Sequence, residues 1–88
     1  MSACTPCLPE LTLLGRAGCH LCEEMRAGLT HLSARLNFTV RWVDISGQTE
    51  LETRYGWDIP VLLAGEHEVC RHFLDESALR GWLQGRVR

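Results

Sequence analysis

No run of apolar residues in this 88-residue chain approaches the ~18 positions a membrane-spanning helix requires. No membrane partner is therefore expected. The N-terminus has no basic segment leading into an apolar one, so it reads as mature rather than as an export signal, and a cytoplasmic protein is expected. Charge of one sign is missing too. Nine Lys and Arg stand against eleven Asp and Glu, a net of −2, which gives no electrostatic case for nucleic acid or an anionic membrane. There is no internal repeat and no low-complexity tract. The length leaves room for one domain, residues 1–88, expected to act as a monomer. A chain of this size buries roughly 60–65% of its unfolded surface, enough for one modest core. A hydrophobic content of 45% with 23% charge argues against disorder.

Cysteine is what the chain has in excess. Five in so short a sequence, without an export signal, point to metal binding or thiol redox chemistry rather than a disulfide scaffold. Two Cys-x-x-Cys pairs, Cys4-Thr-Pro-Cys7 and Cys19-His-Leu-Cys22, are separated by eleven residues. They could supply four thiolates to one zinc ion, or one pair could be a redox dithiol.

The surrounding pattern bears on that choice. Residues 1–9 carry Pro6 and Pro9 and no periodicity, and read as a loose N-terminal arm. Glu10 to Leu14 is a short apolar run ended by Gly15, suited to a buried strand. From Cys19, Leu21, Met25, Leu29, Leu32 and Leu36 recur at steps of three and four, which predicts a helix to Leu36 with Asn37 as its stop. Phe38 to Ile45 reads as a strand, with Phe38, Val40 and Trp42 on one face. Gln48 to Tyr55 reads as a short helix ended by Gly56. Val61 to Ala64, a turn at Gly65-Glu66-His67, and Glu68 to about Arg71 form a hairpin. Asp75 caps a last helix with Ala78, Leu79, Trp82 and Leu83 inside and Gly85 at its end. The order βαβαββα predicts an α/β fold: a four-stranded mixed sheet flanked by helices.

Cys19 falls where the first strand gives way to the long helix. At an N-cap its sulfur faces the unpaired N–H groups of the first turn, and those groups with the helix dipole favour a thiolate. Cys22 lies one turn on, within reach of a disulfide, so Cys19 is the candidate nucleophile and Cys22 the resolving thiol. Arg16 and a protonated His20 favour the thiolate, whereas Glu23 and Glu24 oppose it. The bland reading is that both are small apolar residues at a helix start. A strand of five residues spans about 17 Å, so it holds Cys4 and Cys7 away from the second pair unless the arm folds back. A shared tetrahedral zinc, with Zn–S about 2.3 Å, is disfavoured. Cys4 and Cys7 read instead as idle thiols or an auxiliary dithiol.

The strand LTLL, the GCHLC at the helix start, the segment YGWDIPVLL and the final helix from Asp75 together resemble the thioredoxin superfamily, specifically its small glutaredoxin-like proteins. The resemblance covers about Leu11 to Leu83. It implies a thioredoxin-like fold and a thiol–disulfide oxidoreductase. The substrate would be a disulfide-containing protein or a small thiol, with no tightly bound cofactor and glutathione as the co-substrate. It further implies that Pro60 is a cis-proline packed against the dithiol and that the backbone of Ile59 meets a bound thiol peptide. The sequence departs from that pattern in three places. His20-Leu21 stands where glutaredoxins carry Pro-Tyr and thioredoxins Gly-Pro. Gly18 replaces the tryptophan that precedes the first cysteine of thioredoxins. Val69 to Glu76 lacks the Gly-Gly-x-x-Asp stretch that holds the glutathione carboxylate in glutaredoxins, and its bulky side chains obstruct that approach.

Of the remaining residues, Trp57 adjoins Pro60 and reads either as lining the substrate groove or as packing. Trp42 and Trp82 read as core, and Cys70 as a packed thiol. His31, His67 and His72 have no metal-ligand spacing. Arg16, Arg54 and Arg71 are candidates to hold an anionic thiol ligand, against the plain reading of solvated surface. Two rivals to the redox reading stay open: a metal-binding thiolate protein, with zinc or an iron–sulfur cluster, and a non-catalytic thioredoxin-fold binding module.

Overall fold

Leu11 and Leu13 turn to one side of the first strand and Leu14 to the other, and all three are buried. Side chains on a strand alternate between faces, so a strand buried on both must lie inside its sheet. In the computed structural model, which describes residues 8–86, it does. The sheet order is β2-β1-β3-β4. β1 (Glu10–Gly15) runs parallel to β2 (Thr39–Asp44) and antiparallel to β3 (Val61–Ala64), and β3 runs antiparallel to β4 (His67–Arg71). The predicted βαβαββα order and mixed sheet are observed.

Two apolar layers cover the sheet. On one face Leu11, Leu13, Phe38, Leu62 and Ala64 meet Met25, Leu29 and Leu32 of α1 (His20–Leu36) and Leu79 of α3 (Glu76–Arg86). On the other, Leu14, Ile45 and Val61 meet Leu51 and Tyr55 of α2 (Thr49–Tyr55). The stripe of leucines at helical spacing thus places α1 on the sheet as expected, with Trp42 and Trp82 half-buried against that layer. Asn37 stops α1 in the left-handed conformation (φ 61°), with its N–H bonded to the Ser33 carbonyl. Asp75 caps α3 by accepting the Ala78 N–H at 3.0 Å.

Some boundaries differ from the sequence reading. β2 is one residue shorter at each end than Phe38 to Ile45, although both flanking side chains are buried. α3 does not stop at Gly85 but runs through it to Arg86. A glycine costs a helix only about 1 kcal/mol, too little to end one anchored by Leu79. Pro9, expected in a loose arm, is tied to the sheet through its carbonyl, which accepts the Thr39 N–H at 2.9 Å. Cys4 and Cys7 lie outside the described residues.

Candidate functional site

The end of β1 and the start of α1 build the site. Cys19 is the N-cap of α1, in extended backbone conformation (φ −83°, ψ 116°), and its Sγ accepts the Cys22 N–H at 3.3 Å. Its carbonyl accepts the first intrahelical bond, from the Glu23 N–H at 3.0 Å. Its own N–H donates to the Arg16 carbonyl at 3.2 Å. A donor that the first turn leaves unpaired is therefore spent on the sulfur.

The two sulfurs live in unlike surroundings. Cys19 is partly exposed and Cys22 fully buried, both as free thiols. Burial first, and then its hydrogen bond to Cys19, push the Cys22 thiol up to about 11, against a smaller opposing effect of the Arg16 backbone. Cys22 is thus held protonated beneath Cys19.

Gly15 makes room for that arrangement. A Cβ there would fall 2.9 Å from Cys22 Sγ and 2.9 Å from Cη2 of Trp42, inside any normal contact. Trp42 and Cys22 therefore meet over the bare backbone of β1, and the Arg26 guanidinium covers the Trp42 ring at 4.7 Å. Asp44, at the end of β2, fixes the approach to the dithiol by accepting the N–H groups of Ser46 at 2.8 Å and Ala17 at 3.4 Å. Those bonds, the one from Ser46 foremost, hold its carboxyl below the usual carboxylate range.

Two further loops complete the site. The Ile59–Pro60 peptide is cis, as the resemblance implied, and Pro60 is buried. The Pro60 carbonyl accepts the His72 N–H at 2.7 Å, and Asp58 pairs with Arg71 at 3.0 Å, so the loop before β3 and the loop after β4 are locked together. His72 is left-handed (φ 69°) without being glycine. Beyond it, Phe73 and Leu74 close a cleft of about 120 Å³ against Leu21, Glu24 and Met25 of α1. Leu74 reaches in because α1 carries Gly28 there, where a Cβ would lie 2.9 Å from Leu74 Cδ2.

The other sequence candidates fall out as follows. His20 is exposed and paired with Glu24 at 2.8 Å. The Arg16 side chain is turned to α2, bonded to Glu52 at 3.1 Å, so only its backbone borders the dithiol. Arg71 is taken by Glu68 and Asp58, and Arg54 lies over Tyr55. Ile59 packs against the layer that faces α2. Trp57 is 95% exposed, which excludes the packing role. Cys70 is half-buried, and burial raises its thiol as expected of a packed cysteine. Among the described residues no group of three or more His, Cys, Asp and Glu is placed to hold a metal. No described helix is long and apolar enough to cross a membrane. Sequence reasoning missed Asp44, Glu52 and Phe73. The first two act through bonds to Ala17 and Arg16, residues distant in sequence, and nothing local announces such pairs.

A Cys-x-x-Cys at the head of α1, on a mixed sheet of this order, together with the family match that follows, marks a protein of the thioredoxin superfamily. The chain belongs to the glutaredoxin-like domain (DUF836) family, whose pattern residues 10–84 match. It is 32% identical over 77 residues to the uncharacterized proteins Rv0508 of Mycobacterium tuberculosis and Mb0520 of Mycobacterium bovis, covering 82% of this chain and 79% of each of those. Among solved structures it is similar to protein Ne2328 from Nitrosomonas europaea (TM-score 0.74, 36% identity, 83% of this chain and 88% of that one). It is also similar to protein XcR50 from X. campestris (TM-score 0.68, 33% identity, 85% and 96%). Thioredoxin 1 from Thermosipho africanus shares the fold at 11% identity, with a TM-score of 0.62 over 90% of this chain and 99% of that one.

Proposed function

We propose that the protein is a thiol–disulfide oxidoreductase in which Cys19 attacks and Cys22 resolves. The observation that carries this reading is the asymmetry of the pair: an accessible sulfur on the helix N-terminus above a buried sulfur that keeps its proton. The Cys19 thiolate attacks one sulfur of a substrate disulfide. That S–S bond breaks, a Cys19–substrate disulfide forms, and the first substrate thiolate leaves and takes up a proton. Cys22 then loses its proton and attacks Cys19, releasing the second substrate thiol and leaving a Cys19–Cys22 disulfide. Two electrons pass from the dithiol to the substrate, and an external thiol or dithiol returns the protein to its reduced form. The chemistry suits a reducing compartment such as the cytoplasm.

Trapping tests it. A Cys22→Ser variant offered disulfides should accumulate mixed disulfides at Cys19, mapped by mass spectrometry, and Cys19→Ser should accumulate none there. A Cys22→Ser protein that captures neither protein disulfides nor small ones overturns the reading.

A further inference from the structure

Among the described residues of the first turns of α1, Glu23 and Glu24 outnumber the one arginine, Arg26. Glu23 and Glu24 lie on the first turns of α1, both exposed; Glu24 lines the cleft behind Leu21 and shares its carboxylate with exposed His20 at 2.8 Å. Two of the nearby arginines are paired with carboxylates, Arg16 with Glu52 and Arg71 with Glu68 and Asp58, whereas Arg26 keeps its charge and lies over Trp42. The sequence contains no lysine. The rim also carries two exposed aromatic side chains. Trp57 is 95% and Phe73 67% exposed, and they sit on the two loops that the His72–Pro60 and Asp58–Arg71 bonds join. Phe73 borders the cleft shared with Leu21, between the two cysteines. Large exposed aromatics on two joined loops are the kind of surface that meets another molecule.

Accepting the oxidoreductase reading, on which this rests, we propose that the substrate is a polypeptide disulfide with a basic residue beside the half-cystine. Its apolar neighbours would pack on Phe73 and Trp57 and its cation would lie against Glu23 and Glu24. Glutathione disulfide fits poorly, because each half carries more carboxylate than ammonium and meets Glu23 and Glu24, while Arg16 and Arg71 are already paired with carboxylates. Counted back from Asp75, the glycine pair that glutaredoxins offer to the glutathione carboxylate falls on Arg71 and His72 in this chain. Like charges at a binding rim act against association, and opposite charges speed it.

The test is single-turnover oxidation of the pre-reduced protein at low ionic strength, read as formation of the Cys19–Cys22 disulfide. The probes are cyclic disulfide peptides differing only in an Arg, Ala or Glu flanking the cystine, together with glutathione disulfide and the small dication cystamine. The Arg peptide should react roughly tenfold faster than the Glu peptide, and glutathione disulfide should be slowest. The Arg-to-Glu ratio should collapse towards unity in E23Q/E24Q and in high salt. W57A and F73A should slow the peptides more than they slow cystamine. Glutathione disulfide matching the Arg peptide, or a charge ratio untouched by E23Q/E24Q, overturns the specificity while leaving the oxidoreductase reading intact. If no probe, cystamine included, oxidises the dithiol, both fall.

Discussion

Cys19 Sγ accepts the backbone N–H of Cys22 at 3.3 Å while the Cys22 side chain has no solvent exposure. One residue thus supports its neighbour's sulfur through its main chain and withholds its own. The first expectation is a hierarchy of reactivity. Brief iodoacetamide treatment of the folded, reduced protein near neutral pH should modify Cys19 at least about tenfold faster than Cys22. Cys22 should become reactive on unfolding. Peptide mapping by mass spectrometry reads both, and equal labelling of the pair in the folded protein would contradict the burial of Cys22.

The buried thiol also links stability to alkaline pH. Cys22 rises from 9.0 to about 11 on folding, so between those values the folded chain keeps a proton that the unfolded chain has lost. Its contribution is present in full below about pH 9 and is lost as pH climbs towards 11, on the order of 1 kcal/mol per unit. Denaturant midpoints of the reduced protein across this range should fall more steeply than those of Cys22→Ala.

Gly15→Ala should be among the most damaging of the small substitutions. Its methyl group would strike both Cys22 Sγ and the Trp42 ring, and overpacking of this kind costs about 1–3 kcal/mol. Thermal unfolding measures the loss. The redox titration of the Cys19/Cys22 couple should shift as well, because the intruding carbon displaces a sulfur and not only a hydrocarbon.

His72 holds a backbone conformation that costs a side-chain-bearing residue about 1–2 kcal/mol. Against this, glycine loses about 0.5–1 kcal/mol through the greater freedom of its unfolded chain. His72→Gly should therefore leave the unfolding midpoint at or slightly above that of the parent. His72→Val, β-branched, should lower it. If Val and Gly behave alike, the left-handed turn is not maintained.

Much of this was legible from local chemistry. The helical spacing of Met25, Leu29 and Leu32, the change of period at Cys19, and the Asn37 and Asp75 caps each rest on interactions within a few residues, and each appears where the pattern puts it. Gly85 misled because a weak helix former was read as a stop when Leu79, buried two turns earlier, holds α3 to the sheet. The left-handed His72 escaped notice because the usual signal for that conformation, a glycine, is absent. Arg16 read as a possible anion holder because its partner Glu52 is 36 positions away, a distance no spacing rule spans. The exposure of Trp57 is likewise a property of the loop's tertiary placement rather than of its composition.

The strand order leaves β2 and β4 as the outer members of the sheet, each with one row of backbone groups unpaired by β1 or β3. Such rows are templates for adding another strand, and proteins guard them with charge. Here Arg41 and Asp44 stand on one rim, and Glu68 and Arg71 on the other. Extending the sheet with a second copy would strip water from these ionised groups. Growth into a fibre is therefore opposed at both rims, and this protection is independent of the sulfur chemistry at the head of α1.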